Sequence, residues 1–219
     1  MPLSVQDNIP LMSKGDDYGT IGNELLVSDA KGKSYGIELL GRWVVARKVN
    51  VLSSFTLFKS LFAKKGSKYM SSAWDNGYIF NLTGTYYLSR NWSIGAKVKS
   101  IGGAPFTPYD QNKSSLVLAW NASGKPYFDY SQYNTLRNPS YTQLDLRVDK
   151  TFYLKKYMLG LYVDMQNVTR SSFKNQDVIV STGNIINPQD PVDQQHYEMK
   201  SLKRSSASII PTIGVTVEF

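Results

Sequence analysis

The chain has 219 residues, a formal net charge of +8, no cysteine and a single histidine. That length suits one large domain or two small ones, and the absence of cysteine excludes a disulfide framework or a thiolate metal site. His196 stands among Gln194, Gln195 and Tyr197 with no second histidine at ligand spacing, so it reads as a loop residue and no metal or cofactor is expected.

The basic residues are dispersed. Adjacent pairs occur only at Arg47–Lys48, Lys64–Lys65, Lys155–Lys156 and Lys203–Arg204, and none extends into a run, so no nucleic-acid partner is expected. The longest apolar stretch, "YGIELLGRWVVA" at 35–46, is interrupted by Glu38 and Arg42, whereas a membrane helix needs about 20 mainly apolar residues. The opening "MPLSVQDNIPLMSKGDDYG" lacks the basic and apolar regions of a secretory signal. The unusual quantities are 13% aromatic residues and 15 tyrosines, which suit pleated, half-buried surfaces.

Period-two alternation predicts seven strands, at 34–46, 49–62, 77–90, 92–103, 140–154, 157–171 and 207–219, with a weaker eighth at Tyr18–Val27. In 77–90, Tyr78, Phe80, Leu82, Tyr86 and Leu88 share a face opposite Asn81, Thr83 and Thr85. In 92–100, Trp92, Ile94, Ala96 and Val98 oppose Ser93, Gly95, Lys97 and Lys99. In 142–149, Leu144, Leu146 and Val148 oppose Gln143, Asp145, Arg147 and Asp149. Leu159, Leu161, Val163 and Met165 repeat the pattern against Gly160, Tyr162, Asp164 and Gln166. The last strand closes on "TIGVTVEF", where Ile213, Val215, Val217 and Phe219 alternate with Thr212, Gly214, Thr216 and Glu218.

The links alternate in length. Short ones fall near Arg47–Asn50, Arg90–Asn91 and Lys155–Lys156, and long ones at about 63–76, 103–139 and 174–206. In an antiparallel meander this sends every short turn to one end and every long loop to the other, the asymmetry of a transmembrane β-barrel. Such a barrel turns its apolar face to lipid, with Tyr35, Trp43, Tyr78, Trp92, Tyr157 and Phe219 as interfacial aromatics. A soluble β-sandwich would bury the same face in a core.

The ending resembles the C-terminal signal of outer-membrane barrels, with Thr212, Gly214, Val217 and Phe219 at the positions read by the barrel-assembly machinery. Five further stretches, in order, resemble the last third of TonB-dependent receptors of Bacteroidetes-type bacteria. They are "GKSYGIELLGRW", "SSFTLFKS", "WDNGYIFNLTGTYYLSRNWSIGAKVKSIGGAPFTPYD", "YTQLDLRVDKTF" and "LYVDMQNVT". The likeness covers most of residues 18–219, while no stretch matches the plug domain, TonB box or signal peptide of that family. It implies that residues 1–219 are a partial barrel domain, a C-terminal segment of seven or eight strands from a barrel of about 22. It implies a place in the outer membrane of a Gram-negative bacterium, in contact with its lipid. The implied role is energised uptake of a siderophore, cobalamin or oligosaccharide, with the TonB system engaged through the missing plug.

Candidate functional residues fall in two groups. Arg42, Lys97, Lys99, Asp145 and Arg147 would face the lumen, where opposite charges can equally pair across strands and hydrate the wall. Tyr109, Trp120, Tyr127 and Tyr130 lie in the aromatic-rich loop 103–139 and would stack on a small-molecule or glycan ligand, or else fold the loop over the barrel mouth. "APFTPYD" at 104–110 carries two prolines that stiffen the exit from the fourth strand. No catalytic constellation is legible, so no enzyme is expected; an outer-membrane hydrolase would need a nucleophile–base pair facing the lumen. A small closed eight-stranded barrel acting as adhesin or porin-like protein is the alternative. Its interior must be filled by side chains, whereas Gly95, Gly160 and Gly214 stand on the lumen faces.

Overall fold

A computed structural model describes residues 3–5, 9 and 25–219. Seven long strands dominate it: β1 (Ala30–Val45), β2 (Val49–Lys64), β3 (Tyr78–Tyr87), β4 (Trp92–Ile101), β5 (Tyr141–Tyr153), β6 (Met158–Gln166) and β7 (Ile210–Glu218). They form one antiparallel sheet in strict chain order, with β1 and β7 at its two edges and no hydrogen bonds between them. All seven expected segments therefore hold strands of a single open meander, and the one helical element that enters any of them is the 3-10 turn Ser89–Asn91 at the end of 77–90. Among the described residues no helix is long and apolar enough to cross a membrane.

Most strand ends fall within four residues of expectation, and one larger difference has a local cause. The sixth strand stops at Gln166 because Asn167 takes a left-handed φ of 55°. Its side chain then closes the turn, accepting from Ser171 N at 2.8 Å and donating to the Ser171 and Ser208 carbonyls. The eighth strand expected at Tyr18–Val27 lies outside the described residues except for 25–27. There Leu26–Val27 pairs with Leu3–Ser4 in a separate two-residue ladder, so among the described residues the sheet edge is β1.

The registers bring the alternating faces into line. Ile37 stands opposite Leu57, Leu57 opposite Tyr78, Leu82 opposite Val98, Val98 opposite Leu144, Val148 opposite Val163 and Val163 opposite Ile213. One face thus runs apolar across all seven strands. The other carries Glu38, Arg42, Asn81, Thr83, Lys97, Lys99, Asp145, Arg147, Asp164 and Thr212. The apolar face is open: Leu39 is 64% exposed, Val163 44% and Ile213 79%. Tyr35, Trp43, Tyr78, Trp92, Tyr157 and Phe219 all belong to it by parity. Phe55 and Phe80 meet there edge to face, 6.3 Å between centroids.

The principal buried cluster lies elsewhere. Ile9, Phe62 and Tyr133, backed by Met70 and Tyr130, cluster where the long loops meet the top of β2. Phe62 and Tyr133 pack edge to face at 5.3 Å. The short turns occupy the opposite end. Lys48 N donates to Val45 O across Ala46 and Arg47, which sit at φ 49° and 57°, and Arg90 and Asn91 repeat this at 58° and 59°. Such turns match the twist of a hairpin but favour glycine and asparagine; each other residue there costs about 1–2 kcal/mol.

Glycine has a steric role at one position in β7. A Cβ on Gly214 would fall 2.2–2.4 Å from Tyr162 Cζ, Cε1 and the hydroxyl oxygen, because that side chain lies across the glycine opposite it. At Gly84 the nearest atom to such a Cβ is Val51 Cγ2, at 4.0 Å. Gly214→Ala should therefore cost about 1–3 kcal/mol by overpacking, while Gly84→Ala is neutral or stabilising. Amide exchange across β6 and β7 in detergent checks this: fast exchange in the first variant only.

Candidate functional site

The polar face gathers four of its five expected residues. Lys97 on β4 stands opposite Asp145 on β5, Lys99 stands opposite Gln143, and Arg147 lies two residues beyond Asp145 on the same strand. Arg147 Nη2 is 2.7 Å from Asp149 Oδ1, and its guanidinium lies 4.0 Å from the centre of the Tyr162 ring. Asp145 is tied down locally: Oδ1 accepts from Gln143 Nε2 at 2.6 Å and from Asn167 N at 2.8 Å. Tyr141 in turn donates to Gln143 Oε1 at 2.7 Å. Arg42 is not part of this group, since β1 lies three strands from β4.

The long loops at the other end have structure that alternation did not reveal. Within 103–139, Pro105–Phe106 pairs with Leu136–Arg137, and two short helices follow, α1 (Gln111–Ser115) and α2 (Val117–Ser123). Asp110 caps α1 by accepting from Lys113 N at 2.9 Å, and Gly124, at φ 64°, ends α2. An N-cap aspartate before α1 and a C-cap glycine after α2 are the signals from which these helices could have been read. In the loop preceding β7, Val178–Ile185 pairs with Tyr197–Leu202, and Phe173–Lys174 with Ser205–Ser206.

These two loops hold each other. Val117 N donates to Gln195 O at 2.9 Å, Tyr197 donates to Asn121 Oδ1 at 3.2 Å, and Ser115 Oγ lies 2.8 Å from His196 Nδ1. The Ser–His contact has the spacing of a nucleophile and its base. However, the Ser115 hydroxyl also lies 3.0 Å from the Asn112 carbonyl, which can only accept. With its one proton spent there, Ser115 accepts from His196, and the pair acts as a pin between loops.

Loop 103–139 is clasped to the sheet at Asp75. This carboxylate side chain is fully buried, yet it accepts from Arg137 Nη2 at 2.7 Å, Ser71 Oγ at 2.8 Å and Ser60 N at 3.1 Å, with Lys59 Nζ 3.5 Å away. Arg137 also donates to the Asp75 carbonyl at 2.5 Å, and Asn134 donates to Ser71 O at 2.8 Å. Burial alone would push the Asp75 carboxyl up; the bonds from Ser71, Ser60 and Arg137, helped by the Lys59 charge, outweigh it and hold the group below its ordinary value.

Above this clasp a cleft of about 470 Å³ opens between the loops. Tyr109, Phe128 and Tyr130 form one aromatic wall, with Tyr109 and Phe128 stacked at 5.0 Å. Trp74, 70% exposed, stands at its mouth, and Asn134, Asn138, Asn175, Gln176 and Arg204 supply polar groups. A second hollow of about 570 Å³ shares Tyr109 and Arg204 and adds Lys174, Lys203 and Asp177. Aromatic faces with convergent amides suit a ring-bearing polar ligand. Of the four loop aromatics expected at such a site, the cleft takes Tyr109 and Tyr130. Tyr127 instead braces the helices, donating to Ala119 O at 3.2 Å beneath Lys113 Nζ, and Trp120 accepts the Gly124 N–H with its carbonyl. Trp74, Phe128 and the amides of 175–176 come from segments that alternation leaves blank.

Because the Asp75 carboxyl is depressed, its stabilisation is fully present above the ordinary value of 3.8 and is lost as pH falls through the lower folded value. The clasp should thus hold unchanged from pH 5 to 8 and loosen only in stronger acid. Asp75→Asn should loosen it at every pH, by about 2–4 kcal/mol. Amide exchange of 69–76 and 133–138 measures both effects, with β5 and β6 as internal reference.

Comparison with protein-family models, with curated proteins and with solved structures finds no match.

Proposed function

We propose that the chain is a C-terminal wall segment of an outer-membrane β-barrel receptor of the TonB-dependent kind, in a Gram-negative bacterium. In that reading the polar face lines the lumen, and the loop cleft takes a small-molecule or glycan ligand during energised uptake. The plug domain that engages the TonB system, and the remaining barrel strands, would lie outside residues 1–219. The observation that carries the reading is the seven-strand sheet whose apolar face is continuous and exposed among the described residues, its lysines lying toward the strand ends, while every strand acid stands on the polar face. A soluble protein does not leave so large an apolar surface in water, and the strands, 9–16 residues long, reach the 9–11 that a tilted crossing needs. Trp43, Trp92 and Tyr157 near the short turns, with Tyr35 and Tyr78 toward the loops, stand where aromatic girdles belong. The separate edges β1 and β7 favour a segment of a wider barrel over a small sealed one. Thr212, Gly214, Val217 and Phe219 would then lie on the strand presented to the barrel-assembly machinery.

Spin labels test this directly, since the chain has no cysteine of its own. Single cysteines at 144–148, labelled in lipid vesicles, should alternate. Positions 144, 146 and 148 should be relaxed by oxygen, and 145 and 147 by a water-soluble nickel chelate. Absence of alternation, or low exposure of the even positions to both reagents, would sink the membrane reading in favour of a sheet buried against protein.

A further inference from the structure

The three short turns share one end of the sheet and one chemistry. Their central residues are Ala46-Arg47-Lys48, Ser89-Arg90-Asn91 and Leu154-Lys155-Lys156, every one with a cation and none with an acid. Arg47, Lys48, Arg90, Lys155 and Lys156 are all exposed. Lys150 joins them from the apolar face. Its Nζ lies 5.2 Å from the centre of Trp92 and 5.1 Å from that of Phe152, and it bonds the Arg90 carbonyl. The acidic side chains toward this end, Asp149 and Glu218, stand on the polar face, and Asp149 is occupied by Arg147.

Backbone geometry adds an independent observation. Arg47 and Arg90 sit at φ 57° and 58°, where glycine or asparagine would cost less. Holding arginine there costs stability that glycine would spare, so its charge at an exposed turn is the feature the position retains. From the strands outward the order is apolar band, aromatic row of Trp43, Tyr86, Trp92 and Tyr157, then cations. This is the order of acyl chain, interface and phosphate in a lipid leaflet.

We propose that the short-turn end is a docking surface for anionic phospholipid headgroups, with Arg47, Lys48, Arg90, Lys150, Lys155 and Lys156 donating to their phosphate oxygens. The proposal rests on the membrane reading above and specifies which lipid the barrel wall selects. Lys150 decides between lipid and an acidic protein partner. It rises between two rings of the apolar face, where a headgroup at the edge of the band can reach it and a protein loop would have to enter lipid.

The test uses the whole chain in phosphatidylcholine vesicles, with Trp74→Phe and Trp120→Phe leaving Trp43 and Trp92, both near the short turns, as reporters. Brominated phosphatidylglycerol should quench them about fivefold more effectively per mole than brominated phosphatidylcholine, and less so as salt is raised. Combining Arg47→Gly, Arg90→Gly, Lys155→Gln and Lys156→Gln should bring the two lipids close to parity, while the glycines relieve the turns and so protect folding. Equal quenching by both lipids in the parent chain overturns the headgroup proposal and leaves the membrane reading standing. A preference that survives the four substitutions, or that salt does not touch, overturns its assignment to these cations. No quenching by either lipid overturns the membrane reading and the proposal with it.

Discussion

Everything in this molecule depends on the register of seven antiparallel strands. In a pleated sheet a slip of one residue moves a strand's entire side-chain set to the other face. Here a slip of β5, for example, would carry Asp145, Arg147 and Asp149 into the row that holds Val98, Ala96 and Ile94. Charges placed on an apolar face make that arrangement costly in water and more so in lipid. The alternation therefore acts as its own registration device, reinforced where side chains fit across strands, as Tyr162 fits over Gly214.

Among the described residues no layer covers the apolar side of a sheet so registered. Among the described residues the main buried cluster is the one formed by Ile9, Phe62 and Tyr133 at the loop end, and it secures loops rather than the sheet. Among the described residues the strands rest on backbone ladders and neighbouring side chains, and the two sheet edges have no further strand. Such edges invite further strands. The wider closed wall in a bilayer proposed above would satisfy both features at once, with lipid over the face and adjacent strands along the edges.

The two ends of the sheet carry opposite designs. At the loop end, a buried carboxylate, a guanidinium, an aromatic pair and a Ser–His contact lock two long loops around a cleft. Asp75 can be fully buried and ionised because every lone pair that matters has a donor, two of them cationic. At the turn end there is no comparable packing. Tight hairpins hold arginine in a conformation better suited to glycine, and the cations project beyond the aromatic row. One end is built to enclose, the other to present charge.

The sequence by itself determined the seven strands, their antiparallel order, the two faces and the residue membership of each, because side-chain period and link length are local properties. It also marked Lys97, Lys99, Asp145 and Arg147 as sharing the polar face. Tertiary structure decided what local pattern cannot encode. The Asp75–Arg137 clasp joins residues 62 positions apart, and the Ser115–His196 contact joins residues 81 apart. The cleft draws Tyr109 and Tyr130 together with Trp74, Asn175 and Arg204, while Tyr127 braces the helices and Trp120 lies outside the lining. Gly214, read as part of a terminal signal, proved also to make room for a ring on the neighbouring strand. Each of these depends on which loop folds over which strand end, and chain-distant contacts of that sort leave no period in the sequence to be read.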